Sequence, residues 1–182
     1  AGLPTTGVDL ASQVLQRFEA KGGRSATTAA EAASDADVIF VFVVNAEQTE
    51  QVLFGPNGAV AAARAGTVFV LCVTMPPSTS LALCQRLTAS GMQPIDGPVS
   101  GGSVKALAGA MTIMASGDPK AFERAAPALD AVAGKVFRLG DVPGIGSQVK
   151  MINQLLAGVH IAATAEAMTL GAKIGIDLQQ LY

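Results

Sequence analysis

Tryptophan is absent from this chain, histidine occurs once, and aromatic residues make up 4% of it. A core without large rings must be filled by Ala, Val, Leu and Gly, the filling of tightly packed α/β proteins. A single histidine and scattered acids supply neither a Ser-His-Asp set nor a metal-binding cluster. The two cysteines, Cys72 and Cys84, lie in apolar or helical surroundings without CxxC or Cys/His spacing. That excludes a disulfide framework and a zinc site and leaves two reduced, buried thiols of a cytoplasmic protein. No run of Lys or Arg appears and the formal net charge is −2, so a nucleic-acid or anionic-membrane surface is excluded. A signal peptide is not visible. The longest apolar stretch, 155–176, is interrupted by His160, Glu166 and Lys173, and reads as a buried or interface helix rather than a membrane span.

What is present is apolar sequence, 50% of 182 residues, enough for one domain and a fraction of another. Short apolar runs alternate with amphipathic stretches. Strands are expected at 5–9, 38–44, 67–73, 93–95, 111–115 and 135–139. Helices are expected at 12–20, 28–33, 47–53, 76–89, 103–108 and 119–132. The run Val38-Ile-Phe-Val-Phe-Val-Val44 is continuous rather than alternating, as in a strand covered on both faces. Strand–helix alternation predicts βαβ units and a mostly parallel, doubly wound sheet. After the turn-rich hinge 140–144, a helix of roughly 25 residues is expected, far beyond the usual length. A cap at Asp177 then opens another. The chain divides accordingly into 1–142, an α/β domain, and 143–182, the start of a helical one. It opens abruptly in Ala1-Gly2-Leu3-Pro4, without an initiator Met, and reads as a stretch of a longer protein.

Three places could carry chemistry. Asp9 ends the first expected strand. An acid at a strand end in a dinucleotide fold bonds the adenosine ribose hydroxyls, and Leu10 is not the Arg that a 2′-phosphate would want, which favours NAD over NADP. Taken alone, an Asp at a strand end is more often an ordinary helix cap. Ser100-Gly101-Gly102 follows a strand and precedes a helix. Glycines there let backbone N–H groups approach a carboxylate, with the Ser100 hydroxyl beside them. A plain glycine turn is the other reading. Lys150 stands on the long helix with Asn153 and Gln154 on the adjoining face. A lysine between amides in an apolar helix can pass a proton to an oxygen, and a dry site would lower its pKa. The alternative is a lysine snorkelling out of a half-buried helix. Gly144-Ile-Gly146 lacks the third glycine of a nucleotide fingerprint and fails the P-loop pattern. His160 lies roughly 80° off the Lys150 face and reads as a packing residue. Glu166 reads as solvated, and Met111 and Met114 as core.

Taken together, Asp96-Gly-Pro-Val-Ser-Gly-Gly102 and Gly144-x-Gly-x-x-x-Lys150-x-x-Asn153 resemble the β-hydroxyacid dehydrogenases. That family includes 3-hydroxyisobutyrate dehydrogenase and, more distantly, 6-phosphogluconate dehydrogenase. The tail Asn153-Gln-Leu-Leu-Ala-Gly-Val-His160 is most similar to the L-threonate dehydrogenase branch. The resemblance implies a Rossmann-type fold followed by a helical domain, with NAD as cofactor. Lys150 matches the catalytic lysine, and Ser100, Gly101 and Gly102 match the substrate-carboxylate loop. Asn153 and Gln154 match substrate contacts, and Val43, Val44 and Thr74 match cofactor contacts. It also implies a homodimer or homotetramer and a small hydroxy-acid substrate. The substrate would be a four-carbon sugar acid such as L-threonate, with 3-hydroxyisobutyrate oxidation or glyoxylate and tartronate-semialdehyde reduction as alternatives. A non-catalytic module on the same fold is a further reading, which the presence of Lys150 disfavours. The chain departs from the pattern in three ways. The first strand and glycine turn are not in it, Val43-Val44 replaces Leu-Pro, and Gln154 stands where many members have Asn.

Overall fold

The computed structural model describes residues 2–182. The chain begins with a small unit, strand β1 (Thr6–Gly7), helix α1 (Ser12–Glu19) and strand β2 (Arg24–Ser25). Its two strands pair in parallel and form a sheet of their own. Helix α2 (Ala29–Ala33) follows. Its cap is Thr28, whose hydroxyl accepts from the Glu31 amide while Glu31 accepts from Thr27, a reciprocal arrangement that satisfies free donors at both positions.

The main sheet holds β3 (Val38–Val41), β4 (Val68–Leu71), β5 (Gln93–Asp96), β6 (Val99–Ser100), β7 (Met111–Gly117) and β8 (Ala133–Gly140). Strands β3, β4 and β5 are parallel and β7 pairs in parallel with β8, but β5 and β6 both run antiparallel to β7. The sheet is therefore mixed at its centre. Connecting helices are α3 (Ala46–Phe54), α4 (Pro77–Ala89), α5 (Gly102–Leu107) and α6 (Pro119–Val132). Prolines sit in the first turn of α4 and α6, where the missing N–H costs nothing.

Alternate residues of β4 fall into different cores, because successive side chains of a strand point to opposite faces. Phe69 and Leu71 pack with Leu53, Leu83, Cys84 and Leu87. Val68 and Val70 pack with Ile113 on the sheet and with Phe122, Ala125 and Leu129 of α6. Helices thus cover both faces, and the buried run of β4 needs no polar side. Met111 and Met114 are buried as expected, and so are both free thiols. Burial, and then the nearby Asp96 carboxylate, push the Cys84 thiol up to about 12. Two expected strands are shorter than their apolar runs. Strand β3 stops at Val41, where the Cys72 amide takes the Val41 carbonyl, and Phe42 and Val44 emerge 51% and 81% exposed.

The long helix, α7 (Ile145–Lys173), has 29 residues, and α8 (Leu178–Leu181) follows with Asp177 as its side-chain cap. Of the two readings of the apolar stretch 155–176, buried or interface helix, burial within this chain does not hold. Leu155, Leu156, Val159 and Ile161 are each more than half exposed, because only the first turns of α7 lie against the sheet. His160 is exposed as well, so it packs against nothing within this chain. By length and composition α7 is also able to cross a membrane.

Gly146 fixes how closely α7 approaches. A β-carbon there would fall on the Met114 carbonyl oxygen and 2.6 Å from that of Asp96. Both obstacles are backbone and cannot rotate away. Gly146→Ala is expected to cost about 3 kcal/mol, the upper range for overpacking. The shift in the denaturant midpoint measures it.

Candidate active site

Strands β3, β4 and β5 end side by side, with Val41 opposite Leu71 and Leu71 opposite Asp96. The segments leaving those ends carry Val43 and Val44, Thr74, and the turn Gly97–Gly102. The carboxyl edge of a parallel sheet is where open α/β folds bind ligands. Thr74 is exposed there. Val43 is half-buried and packs against the core of the α4 face. The Val44 amide is already used, because it donates to Gln48 Oε1 at 2.9 Å while Asn45 caps α3 through the Gln48 amide. A contact through Val44 is thereby left to its carbonyl and side chain.

Asp9 follows β1, whose two-stranded sheet is not hydrogen-bonded to the main one. Its Oδ1 accepts from the Ala11 amide at 2.8 Å, so it does turn the chain into α1, and the side chain remains exposed. The cap position of α1 is Ala11, without a side-chain cap bond, so the helix-cap reading of Asp9 does not hold and its carboxylate keeps an open face.

From Asp96 the chain runs on through Gly97 and Pro98 into β6, still against β7. Met114 donates its amide to the Pro98 carbonyl at 3.0 Å, and Ser100 pairs with Thr112. Residues 95–100 thus form one kinked strand along β7, broken where proline lacks a donor. Ser100 is half-buried at its end. Gly101 takes φ +126° and Gly102 +63°, and a β-carbon at Gly101 would meet the Lys105 side chain at 2.8 Å. The turn requires glycine at both its conformation and its packing.

Lys150 lies on the second turn of α7, 6% exposed. Side chains tilt towards the amino end of a helix, so this one leans back over the first turn. Burial pushes its pKa below the usual lysine value of 10.5. Among the described residues no carboxylate pairs with its ammonium. A buried, unpaired cation is costly, and such a group favours either losing its proton or receiving an oxygen ligand. It can accept and return a proton at an oxygen brought to it. Asn153 and Gln154 are further along α7 and exposed, so within this chain they are not closed over Lys150. No group of metal-ligating side chains occurs among the described residues.

Sequence reasoning missed the residues that hold α7 in place. The Asp96 carboxylate is 1% exposed. Its Oδ2 accepts from the Gly144 amide at 3.0 Å and the Ser147 amide at 2.8 Å. Its Oδ1 accepts from the Ser147 hydroxyl at 2.6 Å and the Ser80 hydroxyl at 2.7 Å. Ser116, opposite Asp96 in the sheet, accepts from the Gly146 amide at 3.0 Å. These partners lie 30 to 51 residues away from the donors of α7 and leave no local pattern. The only signal was an acid ending an apolar strand.

Comparison with known proteins agrees with this arrangement. Residues 1–140 match the family described as the NAD binding domain of 6-phosphogluconate dehydrogenase. Residues 144–182 match the NAD-binding segment of NADP-dependent 3-hydroxyisobutyrate dehydrogenase. All of the chain aligns with 61% of a Cupriavidus necator protein named L-threonate dehydrogenase, at 50% identity. An Escherichia coli K12 protein of the same name is 48% identical over the whole chain and 61% of its own length. A crystal structure of a Salmonella typhimurium 3-hydroxyisobutyrate dehydrogenase superposes with TM-score 0.93 at 46% identity, covering 100% of this chain and 63% of that one. The chain therefore spans about three fifths of the length of the curated relatives it matches. Its mixed Rossmann-like sheet and its match over residues 1–140 mean that this chain belongs to the NAD-binding domain family of 6-phosphogluconate dehydrogenase, on the side of the 3-hydroxyisobutyrate-type dehydrogenases.

Proposed function

We propose that residues 1–142 are the cofactor domain, and 143–182 the opening helix of a helical domain, of an NAD-dependent dehydrogenase. Its substrate would be a small hydroxy acid, with L-threonate the first choice. The observation that carries this reading is Lys150, a side chain 6% exposed with no carboxylate partner among the described residues, on a helix packed against β7, the strand that also pairs with Ser100. The names of relatives at 46–50% identity point to the same substrate.

The residues fit the cofactor. Asp9 is exposed and offers a carboxylate to ribose hydroxyls, while Val44 and Thr74 are exposed at the strand ends. When bound, NAD supplies the acceptor for the hydride. The chain's own groups do the rest. Ser100, Gly101 and Gly102 hold the substrate carboxylate through the hydroxyl and backbone N–H groups. Lys150 Nζ takes the proton of the reacting hydroxyl in oxidation and returns it in reduction. Asn153 and Gln154 orient the remaining hydroxyls once α7 is covered. The exposed apolar residues of α7 ask for protein cover, and a homodimer or homotetramer in the cytoplasm would provide it. The description of residues 144–182 favours a second reading, NADP-dependent action on 3-hydroxyisobutyrate.

In the intact protein, Lys150→Ala should lower turnover about a thousandfold, as expected for loss of a general base. Affinity for NAD should hardly change. Absorbance of reduced cofactor, followed with L-threonate, D-erythronate, D-glycerate and 3-hydroxyisobutyrate, tests both points. Turnover confined to 3-hydroxyisobutyrate would select the second reading, and turnover surviving in the variant would remove Lys150 from the chemistry.

The pH profile has a definite sign. Oxidation needs unprotonated Lys150, so kcat/KM should rise with pH and level off at a pKa below 10.5, because burial disfavours the ammonium. Reduction needs the protonated form and should fall through the same pKa. An oxidation profile flat from pH 6 to 10 would contradict this assignment.

Asp9 should repel a 2′-phosphate. NAD is expected to be preferred over NADP by more than about tenfold, some 1.4 kcal/mol. Asp9→Gly should narrow the preference in kcat/KM. Equal use of both cofactors by the parent protein would show that Asp9 serves α1 alone.

A further inference from the structure

Asp96 joins two parts of the site that the chain keeps far apart. Both its oxygens are occupied, and all of its partners are short, well-placed donors. Two are amides of the α7 amino end, which would otherwise be free and buried. The third is the Ser147 hydroxyl, one turn before Lys150. The fourth, Ser80, belongs to α4 and is fully buried. The missing β-carbon at Gly146 lets the helix seat against the Met114 and Asp96 carbonyls, and Ser116 takes a further amide, that of Gly146. Rotation of α7 about its axis would break the Ser147 bonds, and sliding would break the Gly144 and Gly146 bonds.

In the other direction, Asp96 is tied to Ser100 through Gly97, Pro98 and Val99. That stretch is held to β7 on both sides of the kink. Pro98 is fully buried and Gly97 lies 3.0 Å, measured from a β-carbon position, from Val70. The connection has little freedom. One carboxylate therefore sets the separation between the carboxylate turn and the lysine.

We propose that Asp96 is a positioning residue. By capping α7 from the end of β5, it fixes where Lys150 Nζ stands relative to the Ser100–Gly102 turn. This rests on the assignment of Lys150 as acid/base, and it adds a residue that touches neither substrate nor cofactor. The role is geometric rather than a matter of charge. An Asn side chain can keep all four contacts, with its oxygen on the two amides and its NH2 donating to the two hydroxyls, which turn to accept.

The experiment compares turnover per cofactor-binding site in the intact protein, counting sites by NAD titration so that unfolded molecules drop out. Asp96→Ala should lose about a hundredfold in kcat per site, the scale of an ångström misplacement. KM for NAD should move less than about twofold. Asp96→Asn should stay within about tenfold of the parent in kcat per site, a rescue that a requirement for the charge would forbid. If Asp96→Ala yields no folded protein, Ser80→Ala/Ser147→Ala removes both hydroxyl partners while sparing the amides. It should then lose several-fold in kcat with NAD binding intact. Loss of turnover only in proportion to lost NAD sites would make Asp96 merely structural and overturn the proposal. An Asn variant as poor as the Ala variant would overturn it too.

Lys150→Ala run alongside separates the two claims. If it keeps full turnover, the acid/base reading fails; if it loses turnover while the Asp96 and serine variants do not, only the positioning claim fails. Should the parent turn over none of the acids, competitive acetylation read by mass spectrometry serves in place of turnover. Lys150 labelling relative to exposed Lys21 should rise several-fold in Asp96→Ala and stay low in Asp96→Asn. Unchanged labelling in both would overturn the proposal.

Discussion

A helix that begins beside a sheet must find partners for its first amide groups, and here the sheet itself provides them. Asp96 and Ser116, opposite one another on adjacent antiparallel strands, take the amides of Gly144, Gly146 and Ser147. The carboxylate also complements the positive end of the helix dipole. Unpaired buried amides would each cost on the order of 1–3 kcal/mol, so the joint holds because its alternatives are worse. Everything on α7, including Lys150, takes its place from these few bonds.

The mixed character of the sheet serves the same end. In an all-parallel sheet each strand end would be followed directly by a helix. Here β5 continues past a proline kink as β6, and both pair with one edge of β7. That leaves β7 able to hold the turn at Ser100 with its first residues and the amino end of α7 with its last. β8 then closes the other edge of β7 in parallel. A single strand thereby supports both the Ser100–Gly102 turn and the start of α7.

Much of this was legible in the residues. Apolar runs, proline at helix starts and glycine at strand ends located most elements to within a few positions. Helix α6 begins and ends where the sequence placed it, at Pro119 and Val132. The very short strands β2 and β6 were missed because two residues carry no periodicity. The antiparallel pairing was missed because strand direction is set by tertiary contacts and not by composition. The extent of β3 was overestimated, since an apolar run does not say where backbone pairing stops and an exposed mouth begins. Lys150 stood out as a charge in an apolar helix. Asp96 did not, because its partners are spread over three elements and its single local sign was an acid before glycine and proline. The exposure of α7 could not be read either, for an apolar face looks the same whether its cover lies in the same chain or elsewhere.

The length of α7 has a mechanical consequence. At about 1.5 Å per residue the helix extends some 42 Å from Ile145 to Lys173. It is clamped at one end only, close to Lys150. A tilt of about 5° at the clamp would carry the far end through about 4 Å, roughly the thickness of a side chain. The helix is in effect a lever with its short arm at the lysine. Whatever packs against its far turns feels an amplified copy of any adjustment there, and conversely exerts a reduced one on Lys150.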